Sequence, residues 1–280
     1  VMIQLVIINL TNVFASLYLA VYLEYGIFGV ALGSVLAQIS GLLLSIIIFF
    51  NHFKTLNFIS FDLKKIINLN GFLNLFSISK NLFVRTMLLV SVQAYLIKKS
   101  GLIGVDQLAT MEILIVIFGL SSYTLDAFAH AAESTVGVSI GSKNKKNIYK
   151  SIKNTTEFAL TFSVLIGIAL YITDYYIINL FTDISILQDL TLDLWSLVII
   201  TPFISMLAFQ LDGIFIGATL AKEMRNSMIL SSLIFYLVIE FIIQDTLNLK
   251  NLYSCFLLFL ILRGVFLTFY LPRVFKLIKN

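Results

Sequence analysis

The chain alternates between long apolar stretches and short polar punctuation, with stretches at 1–22, 27–50, 79–97, 105–140, 147–173, 187–220, 224–244 and 250–276. A helix crosses a ~30 Å hydrocarbon layer with roughly 20 mostly apolar residues, and these stretches have that length. Runs such as Leu42 to Phe50 do not alternate, which excludes barrel strands, whose ~10-residue segments switch between apolar and polar at each step. The pattern predicts an all-α integral membrane protein, a polytopic bundle of about eight transmembrane helices.

Composition agrees. Hydrophobic residues make up 59% of the chain and charged residues 12%, against ~25% charged in a soluble domain. Where the charges fall sets an orientation, because basic residues in short loops mark the cytoplasmic face. With the 51–78 connection placed inside, 14 basic residues lie on that side, among them Lys143, Lys145, Lys146, Lys150, Lys153, Lys222 and Arg273. Only three, Lys98, Lys99 and Lys250, lie on the other, and Arg85 and Arg263 fall within spans. The long linker and the C-terminus are therefore expected in the cytoplasm and the chain in the inner (plasma) membrane. The net charge of +4 then reflects orientation against an anionic leaflet. No nucleic-acid partner is expected, since the lysine cluster is a turn between two spans. The single Cys255 allows neither an intrachain disulfide nor a thiolate metal cluster.

The one long connection interleaves Phe61, Leu63, Ile66 and Ile67 with Asp62, Lys64 and Lys65, which suits either a short amphipathic helix on the inner surface or a polar linker. It leaves two spans before it and six after. Transporters are commonly built from repeated halves, so the expected organisation is 1–52 as the last two helices of an N-terminal lobe, 53–78 as an inter-lobe linker and 79–280 as a six-helix C-terminal lobe. Val1 leads at once into an apolar span, and the chain is expected to be the later part of a longer polypeptide.

Charge inside the apolar layer costs about 2.5–3.5 kcal/mol on insertion scales and marks function by default. Counting inward at ~1.5 Å per residue from Lys222, Lys143 and Arg273 places Asp212, Glu133 and Arg263 near the middle. Asp126, His130 and Glu133 are spaced i, i+4, i+7, so they share one helix face, and carboxylate and imidazole are both proton-exchanging groups. The structural alternative is a Glu133–Arg263 ion pair that only joins helices, with Asp212 a hydrogen-bond acceptor. Arg85, five residues from Lys80, is expected to snorkel inward, and Glu112, Glu157 and Glu240 to be peripheral. Gly29 to Gly33 and Gly213 to Gly217 have the spacing of close helix contacts. Pro202, in the same span as Asp212, removes a backbone hydrogen bond.

Three stretches carry a family likeness. They are Tyr123 to Glu133 followed by Val136-Gly137 and Gly141; Leu211-Asp212-Gly213-Ile214-Phe215-Ile216-Gly217-Ala218-Thr219 with Glu223-Met224-Arg225-Asn226; and Asn81 to Leu89 with Arg85-Thr86. In order and spacing the chain resembles the multidrug and toxic compound extrusion (MATE) transporters, most closely their DinF-like branch, over helices five to twelve of twelve. The resemblance implies two six-helix lobes around a central cavity, no enzyme activity and no cofactor. It further implies export of organic cations or other small amphipathic molecules in exchange for H⁺ or Na⁺, with membrane lipids as surroundings and a monomeric state. Asp212 matches a position where the family carries a functional acid. The helix-seven segment here offers Arg85 and Gln93 and no acid, which weakens Na⁺ relative to H⁺. The alternative of similar architecture is a lipid or lipid-linked oligosaccharide flippase, which would favour a cavity lined by basic residues, whereas the deep charges here count as mostly acidic. An intramembrane enzyme using Asp126, His130 and Glu133 lacks any accompanying nucleophile or His-Glu-x-x-His motif.

Overall fold

The structure, a computed structural model, describes residues 2–53 and 69–277. Ten α-helices run through the described residues: α1 Met2–Leu17, α2 Gly26–Phe53, α3 Leu69–Ile103, α4 Val105–Gly141, α5 Lys145–Ile172, α6 Asp174–Phe181, α7 Ser185–Asp193, α8 Trp195–Gly217, α9 Ala221–Leu237 and α10 Leu249–Lys276. Eight helical segments are long and apolar enough to cross a membrane, so the expected bundle is present. The amphipathic helix considered over 61–67 lies outside the described residues. Two boundaries differ from the apolar pattern. The third span begins at Leu69 rather than 79, and the expected 187–220 span is divided into α7 and α8, because Asp189 and Asp193 interrupt the hydrophobic run.

The chain separates into two compact units, residues 1–68 and 69–280. The first is an antiparallel helix pair. Gly29 packs against the backbone of Leu19 and Ala20, and Gly33 against that of Ser16, so that a Cβ at either would collide with main chain. Gln4 reaches Ser45 at 2.5 Å and Asn12 reaches Ser34 at 3.1 Å. Without water, such polar groups must find partners across the helix pair.

In the second unit the helices alternate in direction. On α4 and α8, Ala129 opposes Gly213 and Glu133 opposes Gly217, with main chain so close that a Cβ at either glycine would overlap a carbonyl oxygen. The sequence separation is the same in both pairs, so α4 and α8 run parallel. One crossing, α5, lies between them, which keeps the short α6 and α7 at a single end of the bundle. The same reasoning holds for α3 and α9. Asn81 accepts from Arg225 (2.8 Å), Ser91 meets Tyr236 (2.8 Å), and Tyr95 donates to Glu240. These three rungs, at nearly constant offset, keep the two helices in parallel register over roughly 21 Å at ~1.5 Å per residue. The hydrophobic core of this unit includes the aromatic rings of Phe118 on α4, Phe235 on α9 and Tyr253, Phe256 and Phe259 on α10. Core hydroxyls such as those of Thr201 and Ser231 donate to carbonyls one turn back in their own helices.

α1 and α9 both end in a π turn, Tyr18–Tyr22 and Val238–Ile242, closed by i→i+5 bonds from Leu23 to Tyr18 and from Ile243 to Val238. Each is the first helix of the last pair in its unit. The likeness shows in backbone geometry, while the residues share little beyond apolar character.

Candidate functional site

Asp212 is one residue before Gly213, so the contact that seats α8 on α4 also fixes where the carboxylate points. Its Oδ2 accepts from Nη2 of Arg85 on α3 and from Nη2 of Arg263 on α10. Side-chain exposure is 8% for Asp212, 2% for Arg263 and 18% for Arg85. The carboxylate thus ties three helices together. Arg263 also lies over the Phe209 ring, 5.3 Å from its centroid, one turn earlier on α8. The Nε atoms of Arg85 and Arg263 are buried without a hydrogen-bond partner, so both guanidiniums spend their paired charge on a single carboxylate oxygen.

Asp126 is the second acid of this neighbourhood. It is half-buried on α4, one turn before the Ala129–Gly213 contact, and within electrostatic reach of Arg263, Asp212, Arg85 and His130. It makes no ion pair of its own among the described residues. Further along α4, His130 Nδ1 is 3.3 Å from Glu133 Oε2, with side chains 77% and 38% exposed. The face with spacing i, i+4, i+7 therefore divides, and only Asp126 reaches the buried cluster.

Several sequence expectations are corrected here. Arg263 pairs with Asp212 and not with Glu133, because the Gly213 contact turns Asp212, rather than Glu133, toward α10. Arg85 does not snorkel to the surface; a buried carboxylate offers its cation a closer partner than water does. The deep charge is not mostly acidic, since two guanidiniums face Asp212 and Asp126. Glu240 keeps a side chain 41% exposed, in line with a peripheral place, while it lies 2.8 Å from Lys99 and accepts from Tyr95. Glu223, not singled out, is buried and paired at 2.7 Å with Arg273, which also covers Tyr270. Glu157 does sit on the surface beside Lys153, 3.7 Å away. The signal for Arg85 was its position within a span, which calls for a partner by default.

Eight helices long and apolar enough to cross a membrane among the described residues, with a buried arginine–carboxylate cluster inside the second unit, define a polytopic integral membrane protein. The family model described as MatE matches residues 82–242, more than half of the chain, and the chain belongs to that family, one of membrane transporters and not enzymes. It is 27% identical over 263 residues to the DNA damage-inducible protein F of Escherichia coli (strain K12), with 94% of this chain and 57% of that protein covered. The chain thus spans just over half the length of this relative. Among solved structures, a MATE transporter in complex with MaD5 superposes with a TM-score of 0.85 at 13% identity, covering 100% of this chain and 62% of that one. The Vibrio cholerae MATE transporter VcmN in the bent form gives 0.82 at 14% identity, covering 98% and 61%. At such identities the likeness establishes the fold.

Proposed function

We propose that this chain is the later part of a secondary active transporter that exports organic cations or other small amphipathic compounds in exchange for inward H⁺, with Na⁺ the alternative coupling ion. In this reading residues 1–52 close an N-terminal lobe, 53–78 link the lobes, and the six spans of 79–280 form the C-terminal lobe, in the inner membrane with linker and C-terminus cytoplasmic. The observation that carries the proposal is the Arg85–Asp212–Arg263 cluster inside a MatE-family bundle. A hard cation takes several oxygen ligands. Asp212 instead has guanidiniums on its Oδ2, which disfavours Na⁺ at this carboxylate.

Coupling needs a group whose loading changes the interactions between helices, since a ligand shifts a conformational equilibrium only by its differential affinity for the two states. Asp126 is such a group. Ionised, it competes with Asp212 for the two arginines and draws α4 toward α3 and α10. Protonated, it leaves them wholly to Asp212. Proton exchange at Asp126 breaks no ion pair, whereas at Asp212 it breaks two. His130, exposed, and Glu133, half-buried on the same helix, would pass protons toward it.

The test is gradient-driven efflux of a fluorescent organic cation from vesicles containing the complete protein. Asp126→Asn is expected to lower efflux at least ten-fold at unchanged folded yield. Efflux at the parental rate would leave Asp126 without a coupling role.

A further inference from the structure

The second unit has a cleft that the buried cluster does not use. It lies between α4 and α5 at the end nearest the Lys143 to Lys146 turn and has a volume of about 450 Å³, within the ~300–1,000 Å³ typical of small-ligand clefts. α4 contributes Thr135 and Ser139, one turn apart, and α5 contributes Asn147, Lys150, Ser151 and Asn154 at i, i+3, i+4 and i+7. Each helix thus turns one polar stripe toward the other. Val138 is the sole apolar lining residue. The hydroxyls of Ser139 and Ser151 meet at 3.2 Å and join the two walls.

The donors in this cleft are uncommitted. The side chains of Asn147, Lys150 and Asn154 have no hydrogen-bond or ion-pair partner among the described residues, and together they offer an ammonium and two amide groups. Nearby acids are already engaged, Glu133 by His130 and Glu157 by Lys153. Lys143 stands in the adjoining turn and Lys145 and Lys146 in the first turn of α5, which adds the partial positive charge of a helix start. A cation is repelled from such a place. Donors at Asn147, Lys150 and Asn154, about a helical turn apart on one face of α5, over a hydroxyl-bearing wall, suit a ligand with several acceptor oxygens.

The geometry points to this cleft as a binding site for a phosphate oxyanion, carried by a phospholipid headgroup or by free phosphate. Its position at the basic end of the helices is the level where anionic headgroups gather.

The experiment titrates the purified full chain in detergent with phosphatidylglycerol, with diacylglycerol of the same acyl chains, and with inorganic phosphate, reading the thermal unfolding midpoint. Saturable stabilisation by phosphatidylglycerol and not by diacylglycerol is expected, with Lys150→Gln weakening apparent binding about five-fold and Lys150→Arg restoring it. Lys222→Gln, which removes an exposed lysine at the start of α9, outside the cleft and its adjoining turn, is expected to bind as the parent does. If inorganic phosphate alone stabilises and loses its effect in Lys150→Gln, the source is free phosphate; if phosphatidylglycerol alone does so, it is lipid. Equal stabilisation by diacylglycerol, unchanged binding by Lys150→Gln, or equal losses in Lys222→Gln and Lys150→Gln would overturn the assignment. Gel filtration confirms that each variant is folded, and Lys150→Arg separates loss of charge from loss of fold.

Discussion

Replacing Asp212 by Asn keeps the size of the side chain and removes its charge. At the same stroke it strands Arg263, whose side chain is 2% exposed, and deprives Arg85, at 18%, of its carboxylate. Breaking a buried ion pair by removing one partner costs about 3–5 kcal/mol, because the remaining charge is left without compensation. Two cations share this one anion, so the upper part of that range applies. At ~2–4 °C per kcal/mol for chains of 150–250 residues, the unfolding midpoint in detergent should fall on the order of 10 °C, followed by the fluorescence of buried Trp195. The double variant Asp212→Asn/Arg263→Met removes the stranded charge with its counter-ion and should regain much of the loss. A single variant as stable as the parent, or a double variant no better than the single, would refute the view that Asp212 anchors the bundle through its arginines. Efflux measurements on Asp212→Asn therefore have to be normalised to folded protein, a requirement that Asp126→Asn does not share.

Other outcomes follow from the packing and the charges. Gly213→Leu should abolish folded yield on gel filtration, since even a Cβ there meets the Ala129 carbonyl, whereas Ala127→Leu on the exposed side of α4 should be tolerated. Glu240→Gln should lower the midpoint by no more than ~2–4 °C, the equivalent of the ~0–1 kcal/mol of a partly exposed pair, because its side chain is 41% exposed. Glu223→Gln should cost more, since that carboxylate is only 9% exposed and the amide keeps an acceptor for Arg273 but loses the charge that strengthens the bond. Cysteines at 145 and 222 should react with an impermeant thiol reagent from one side of the membrane and cysteines at 98 and 250 from the other; labelling of 145 and 222 from opposite sides would overturn the alternation of spans.

What the sequence by itself determined is the layer in which the protein lives and the number of times it crosses. Those depend on run length and charge placement, which are local and additive: the stretch around Leu42 to Phe50 has to be a helix in lipid wherever it sits in the bundle. The same holds for Gly213 and Gly217, whose spacing marked a close helix contact before any partner was known. The depth of Asp212 was also countable, since helical rise is fixed at ~1.5 Å per residue. What the count could not supply is rotation and partner. Arg263 stood at the depth of both Glu133 and Asp212, and only the packing of α8 on α4 through Ala129–Gly213 decided that Asp212 would receive it. Arg85, near the start of its span, had a plausible route to water, and only the tertiary packing brought it to Asp212 in the bundle interior, a contact between residues 127 apart. Asp126, His130 and Glu133 shared a face by spacing. Whether that face was buried depended on tertiary neighbours, which put Asp126 within electrostatic reach of the arginines and leave the His130 side chain 77% exposed.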